Sequence, residues 1–298
     1  MIKKQSVVFV LLTLLTVQFS FADAAGELLV RAAREGNESL LRNVLGSANV
    51  NYLDNERTAL MEACDKQNLP LVKLLLEEGK ANPSFKNAYQ QTALMFAAQS
   101  NINADIVNLL VSRNANINDA DSNGDTVLMY AARNQSPQVI DLLIRRGVNI
   151  NRTNVNREDA LIVATRSKNR DGVTRLITAS GAINWSQTDI NGNTAFMIAC
   201  NDENLELVRL FLTSSTGFDA NLKTNGVPPL LWLIDKQKSW NVIRYLIEQT
   251  DSLNARDDFG RDAYYYANLR GNKQATAALD DKRTRQDDGR NAQSSRGR

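Results

Sequence analysis

A unit of 34 residues, give or take one, recurs along almost the whole chain, and this period constrains the fold more than any single residue does. Its most recognisable phrase reads TALMEAC from Thr58, TALMFAA from Thr92, TVLMYAA from Thr126 and DALIVAT from Asp159. It continues as TAFMIAC from Thr194, PPLLWLI from Pro228 and DAYYYAN from Asp262. The spacings are 34, 34, 33, 35, 34 and 34 residues, and a degenerate copy, ELLVRAA, starts at Glu27. A unit this short cannot bury its own apolar face, so neighbouring copies must stack to build a core. Such a chain offers a surface rather than an enclosed pocket.

The fourth copy, residues 121–151, shows the grammar. Asp121-Ser122-Asn123-Gly124 reads as a turn, with Asn-Gly supplying the positive φ angles of a tight hairpin. Thr126 is placed to cap a short helix from Val127 to Asn134, on which Ala131 and Ala132 allow a neighbouring helix to approach. After a break near Ser136 and Pro137, a second helix carries Val139, Ile140, Leu142, Leu143 and Ile144 at helical spacing, and Gly147 ends it. The same stripe recurs as Leu71-Val72-Leu74-Leu75-Leu76, Ile106-Val107-Leu109-Leu110 and Leu207-Val208-Leu210-Phe211-Leu212, which reads as core. An Asn after the second helix recurs at Asn51, Asn118, Asn151, Asn184, Asn221 and Asn254. The residue after it is aromatic at Tyr52 and Trp185, and Phe85 stands nearby in the second copy; these rings pack on the adjacent arm or anchor a partner.

Helix–turn–helix units with projecting turns and this phrase resemble the ankyrin repeat, whose period and Thr-Pro-Leu-His-x-Ala signature match over roughly residues 27–279. The resemblance implies an all-α solenoid of about eight repeats, with hairpin tips and first helices lining a concave face. It departs from the family in two slots. The family's Pro is replaced everywhere except at Pro229. Its His is Met61, Met95, Met129 and Met197, so a polarizable thioether must fill by packing the space where the family ties repeats by hydrogen bonds.

The ends read differently. Lys3 and Lys4, an apolar run from Val7 to Val17, and small residues at Ser20, Ala22, Ala24 and Ala25 resemble a secretory signal peptide cleaved after Ala22, with Ala24 as the alternative site. The run is shorter than a membrane span and is interrupted by Thr13, Thr16 and Gln18, so no stable anchor is expected after cleavage. The expected division is a signal peptide over residues 1–22, a repeat array over 23–279 and a polar, disordered tail over 280–298. An insertion from Thr213 to Gly217 lengthens the sixth copy.

With Lys3 and Lys4 removed, 33 basic residues face 33 acidic ones, so no net field draws the mature chain to nucleic acid. Cys64 and Cys200 occupy one slot of two copies four repeats apart. Helices packing about 8–10 Å apart put them far beyond the roughly 7 Å a disulfide spans, so both are expected as buried free thiols. The absence of histidine removes His-activated nucleophiles and the commonest zinc ligand sets, and no pair of acids is placed across a cleft. The chain is therefore expected to be non-catalytic, without cofactor or metal. The run Asp119-Ala-Asp121-Ser-Asn123-Gly124-Asp125 matches half of a calcium loop, but its twelfth position is Tyr130 rather than an acid, which favours plain turn chemistry.

By the resemblance, recognition falls on hairpin tips and first-helix ends. The candidate partner-binding residues are Gln91, Gln99, Asn123, Asp125, Arg133, Arg157, Arg166, Asn191, Asn193 and Asn201, with Ser100, Ser122, Asn134, Ser167, Ile190 and Asp202 beside them. The expected function is a monomeric protein-interaction scaffold, exported to a periplasm and binding an unidentified protein partner. The alternative is a secreted factor acting on host proteins through the same surface.

Overall fold

The computed structural model describes residues 24–99, 104–179, 183–214, 218–251 and 253–296; the signal-like segment lies outside them. The described residues are helical, with no strand beyond three isolated bridges at hairpin tips. Two compact units meet at Asn149 and Ile150, each holding four helix pairs.

In the first unit the pairs are α1 (residues 24–35) with α2 (Glu38–Leu45), α3 (Ala59–Asp65) with α4 (Leu69–Glu77), α5 (Ala93–Ala98) with α6 (Ala104–Ser112), and α7 (Val127–Arg133) with α8 (Pro137–Arg145). First helices pack on first helices, α3 on α5 and α5 on α7, while α4, α6 and α8 form a second layer. Between the layers lies the core that the sequence stripe implied: Leu71, Val72, Leu75, Ile106, Val107, Leu110, Ile140 and Leu143 are all essentially sealed from solvent. The alanine pairs do what their size requires, with Ala97, Ala98, Ala131 and Ala132 fully buried where helices approach.

The second unit repeats this plan with α9 (Ala160–Arg166) and α10 (Arg170–Thr178), α11 (Ala195–Asn201) and α12 (Leu205–Thr213), α13 (Pro229–Asp235) and α14 (Trp240–Gln249), α15 (Ala263–Leu269) and α16 (Lys273–Arg296). An aromatic cluster fills its α11–α12 layer. Phe196 and Phe211 lie 5.7 Å apart, and Phe218 and Trp185 close round them edge to face. Trp185 is thus a packing residue, as one of the two sequence readings had it, and Tyr52 and Phe85 are likewise half-buried.

Helix starts follow the expected slot. Thr58, Thr126 and Thr194 each accept a backbone N–H from the residue three positions on, and Asp159 and Asp262 do the same with a carboxylate. The turn between paired helices has its own rule: a residue at positive φ, then a capping Asn. Gly36, Gln67, Lys168, Glu203 and Gly271 take φ between 54° and 70°. The following Asn37, Asn68, Asn169, Asn204 and Asn272 each accept an N–H of the next helix.

Two expectations are revised. The methionines at the family's His slot are 0–1% exposed and pack as foreseen, but Met129 also bonds: its Sδ accepts the Thr126 N–H at 3.4 Å. The ties between copies come instead from the recurring Asn. The Asn51 side chain accepts the Asn82 N–H at 3.0 Å, Asn118 that of Asn149 at 2.9 Å, and Asn151 that of Asn184 at 3.3 Å. The second revision concerns the tail expected to be disordered from residue 280. There α16 continues helical to Arg296. Lys282 supplies a physical reason, because its ammonium donates to the carbonyl oxygens of Ile247 and Thr250 and so caps the C-terminal end of α14. Burial pushes the Lys282 pKa down. An Arg285–Asp281 pair at 2.6 Å adds support one turn further on.

Cys64 and Cys200 are buried free thiols, and burial pushes both far above the usual thiol range.

Candidate partner-binding face

The face is built from the hairpins that precede each first helix. They come in two lengths. Asp54–Arg57 and Thr224–Val227 are closed by paired backbone bonds and have two central residues at positive φ, Asn55 and Glu56 in one, Asn225 and Gly226 in the other. The other hairpins are one residue longer and open with a buried Asn or Asp: Asn87, Asp121, Asn154, Asp189 and Asp257. In these the side-chain Oδ1 reaches across the loop. Asp121 Oδ1 accepts from Asn123 and Asp125, Asn154 Oδ1 from Asn156 and Glu158, Asp189 Oδ1 from Asn191 and Asn193, and Asp257 Oδ1 from Phe259 and Arg261. Only the fourth loop residue, such as Gly124 or Gly192, takes positive φ, so Asn123 and Asn191 do not carry it as the Asn-Gly pattern implied.

Adjacent tips are stitched backbone to backbone. Ser122 donates to the Tyr89 carbonyl at 2.9 Å in the first unit; in the second, Ile190 donates to Asn156 and Asp258 to Gly226, both at 3.0 Å. Tips that would each flex alone are thereby joined into a ribbon within each unit. Projecting from it are Tyr89 in the first unit and Val155, Ile190 and Phe259 in the second, between 59% and 82% exposed.

Placed on this frame, the sequence candidates separate into structural and available residues. In the first unit Gln91 is engaged: its Nε2 donates to the Tyr130 hydroxyl at 3.1 Å, and that hydroxyl donates to Asp121 at 2.8 Å. Burial first, with Asp121 behind it, raises the Tyr130 pKa to about 12. Asp125 is buried and paired to Arg133 at 2.7 Å, with the guanidinium standing 5.8 Å from the Tyr130 ring. Gln99 closes α5 with its backbone and is half-buried, and Asn123 is exposed at the tip; Ser100 lies outside the described residues.

In the second unit Arg166 bridges Glu158 at 2.6 Å and the buried Asp189. Asn193 donates to Asp189, and the Asn191 carbonyl accepts from the Asn225 side chain at 3.2 Å. Arg157 is exposed with φ +60° and reaches Thr188, while Asn201 is exposed at the end of α11. The last copy mirrors the fourth: Tyr266 donates to Asp257 at 2.8 Å and Arg261 pairs with it at 2.6 Å. Burial works to raise the Asp257 pKa, but the hydrogen bonds from Arg261, Tyr266 and Phe259 prevail and hold it near 2.

The calcium-like run is used up as turn chemistry. Asp121 serves its loop and Tyr130, Asp125 serves Arg133, and Asp119 is paired to Lys86 at 2.9 Å. Among the described residues no cluster of three His, Cys, Asp or Glu side chains is arranged to hold a metal ion, and no helix is long and apolar enough to cross a membrane. Sequence reasoning missed Val155, Tyr89 and Phe259. The signal was available: each stands one or two residues after the Asx that opens a tip.

A family model described as ankyrin repeats in three copies matches residues 29–121, 103–189 and 161–257. The chain belongs to the ankyrin repeat family. A probable serine/threonine-protein kinase of Dictyostelium discoideum is 30% identical over 105 residues, which are 33% of this chain and 11% of that protein. An ankyrin repeat, SAM and basic leucine zipper domain-containing protein of Echinops telfairi is 36% identical over 124 residues, 39% of this chain and 25% of that protein. The matched stretches therefore take up a quarter or less of either relative. Ankyrin repeats mark the chain as a protein–protein interaction scaffold, in a family that is generally non-catalytic.

Proposed function

We propose that the chain is an exported scaffold that binds a protein partner through its hairpin tips and first-helix ends. The observation that carries this reading is the stitched ribbon of the second unit, from which Val155 and Ile190 project on adjacent tips at 66% and 60% exposure. Two aliphatic side chains on a preorganised backbone can bury apolar area in a partner with little ordering cost. Arg157 and Asn201 stand exposed in the same unit as polar contacts. Gln91, Asp125, Arg133 and Arg166 contribute chiefly by holding tips to helices, and Asn193 by bracing its own tip through Asp189.

The test uses the secreted-form chain as bait, with Val155→Asp and Ile190→Asp introduced together. A partner retained by the parent chain should be lost by the variant while far-UV circular dichroism stays the same. Undiminished retention would move the interface elsewhere. Export is read by the size of the protein in periplasmic, supernatant and cytoplasmic fractions. A shortened form in the periplasm supports the scaffold reading, a shortened form in the supernatant supports a secreted factor acting on host proteins, and a full-length cytoplasmic form defeats export.

A further inference from the structure

Three Asn-Gly pairs lie at hairpin tips: Asn123-Gly124, Asn191-Gly192 and Asn225-Gly226. All three asparagines are exposed. Their glycine amides differ. The Gly124 N–H donates to the Asp121 carbonyl at 2.9 Å and the Gly192 N–H to the Asp189 carbonyl at 3.0 Å, because both loops are of the five-residue kind. In the four-residue Thr224–Val227 hairpin the cross-loop bonds run between Thr224 and Val227, and the Gly226 N–H has no partner among the described residues. That amide nitrogen is the atom that attacks when an Asn side chain cyclises onto its own backbone.

We propose that Asn225 is a site of spontaneous deamidation, singled out among the three pairs by the free amide of Gly226. The Gly226 nitrogen forms a bond to Cγ of Asn225 while the Cγ–Nδ2 bond breaks. Ammonia leaves with the proton the glycine nitrogen gives up, and a cyclic imide remains. Water then opens the imide at either carbonyl, leaving aspartate or isoaspartate; the only co-reactant is water. Glycine at 226 removes the side chain that would crowd the attack. It is also demanded by the fold, because φ is +78° and a Cβ would stand 2.4 Å from the Asp258 carboxylate.

The product alters the ribbon. Asn225 Nδ2 donates to the Asn191 carbonyl, tying the tip of one copy to the next. A carboxylate in its place has no hydrogen to donate and sets a negative charge against that oxygen. In isoaspartate the main chain of the turn also gains an atom, which is incompatible with the paired Thr224–Val227 bonds. The modified chain thus carries a loosened, acidic tip on its partner-binding face.

Peptide mapping by mass spectrometry tests this on the folded full chain incubated at mildly alkaline pH. Each site's conversion rate is divided by its rate in the urea-unfolded chain, which cancels differences in neighbouring sequence. A turn hydrogen bond that must open before attack slows it by about five- to tenfold, whereas the exposed 3.2 Å side-chain bond of Asn225 to the Asn191 carbonyl opens more readily, so Asn225 should keep a rate ratio higher than Asn123 and Asn191 by up to about that factor. Equal ratios at the three sites, or an unchanged Asn225 after the other two have converted, would overturn the proposal. Asn225→Gln should abolish the acidic species seen at that position on ion exchange; its persistence counts against the assignment.

Discussion

Replacing Asp159 by Thr should stabilise the second unit at neutral pH and leave it nearly unchanged in mild acid. Asp159 caps α9, accepting the Ile162 N–H at 2.8 Å, yet it is only 2% exposed. Burial outweighs the backbone hydrogen bonds and raises its pKa from 3.8 to about 6. The folded chain therefore holds this proton more tightly than the unfolded one. Stability contributed by the protonated form is complete below about pH 4 and is lost as pH rises through about 6. A shift of about two units corresponds to about 3 kcal/mol at about 1.4 kcal/mol per unit. Thr keeps a capping hydroxyl, as Thr58, Thr126 and Thr194 do in equivalent slots, and is at most a few tenths of a kcal/mol weaker as a cap. The net gain at neutral pH is then about 2–3 kcal/mol. Repeat arrays unfold with nearest-neighbour coupling, so a local reporter is preferable, and Trp185 in the neighbouring aromatic cluster provides one in a background with Trp232 and Trp240 replaced by Phe. Urea unfolding of parent and variant, compared at about pH 4 and about pH 7.5, isolates the contribution of this one carboxyl from all other titrations. A variant that loses stability at the higher pH, or a difference that does not grow between the two, would refute the reasoning.

Further perturbations follow from the core, the tips and the last helix. Leu143→Ala empties a fully buried position between α7 and α8 and should cost about 2–5 kcal/mol in urea unfolding. Gly226→Ala must place a methyl group at positive φ against Asp258, so the tip should lose about 1–3 kcal/mol, visible as faster amide exchange at Val227 and Asp258. Lys282→Met removes the cap on α14, and the helix beyond Leu279 should lose circular dichroism intensity and exchange protection together. In the last copy, Asp257 contributes stability that is present above about pH 4 and lost as pH falls toward 2, which amide-exchange protection at Phe259 and Arg261, whose N–H groups it accepts, can follow.

The period, the helix pairs and the core stripe were legible because they rest on spacing alone. What escaped were the residues whose role is a hydrogen bond across a loop. Asn68 follows Thr58 by ten residues, and Asn169 and Asn204 follow Asp159 and Thr194 by the same interval, but an isolated Asn reads equally as solvated surface until its side chain is seen to cap a helix. Asp121 reads as an ordinary turn residue and nothing in the sequence singles out Asp189, although their burial makes them the pins of the tips. Arg133 and Arg166 were read as surface charges for a partner because sequence spacing does not reveal that Asp125 and Asp189 lie within reach. The helical course of residues 280–296 was hidden for a related reason: Lys282 finds its carbonyl partners 32 and 35 residues earlier in the chain.

The pinned hairpin has a consequence for how such a surface can diversify. Each long tip is held by one Asx from its own copy, whose Oδ1 accepts only backbone N–H groups inside the loop, while the second carboxylate oxygen of Asp121, Asp189 and Asp257 meets Tyr130, Arg166 and Tyr266 on the helices. The three residues it encloses, Ser122-Asn123-Gly124 or Val155-Asn156-Arg157, are not specified by that contact beyond the positive φ of the last one. A tip could be transplanted from one copy to another as a cassette, provided the Asx travels with it. On the proposed reading, specificity would be a modular text written between fixed brackets, and the helices beneath need only keep the residue that meets the second oxygen of the Asx.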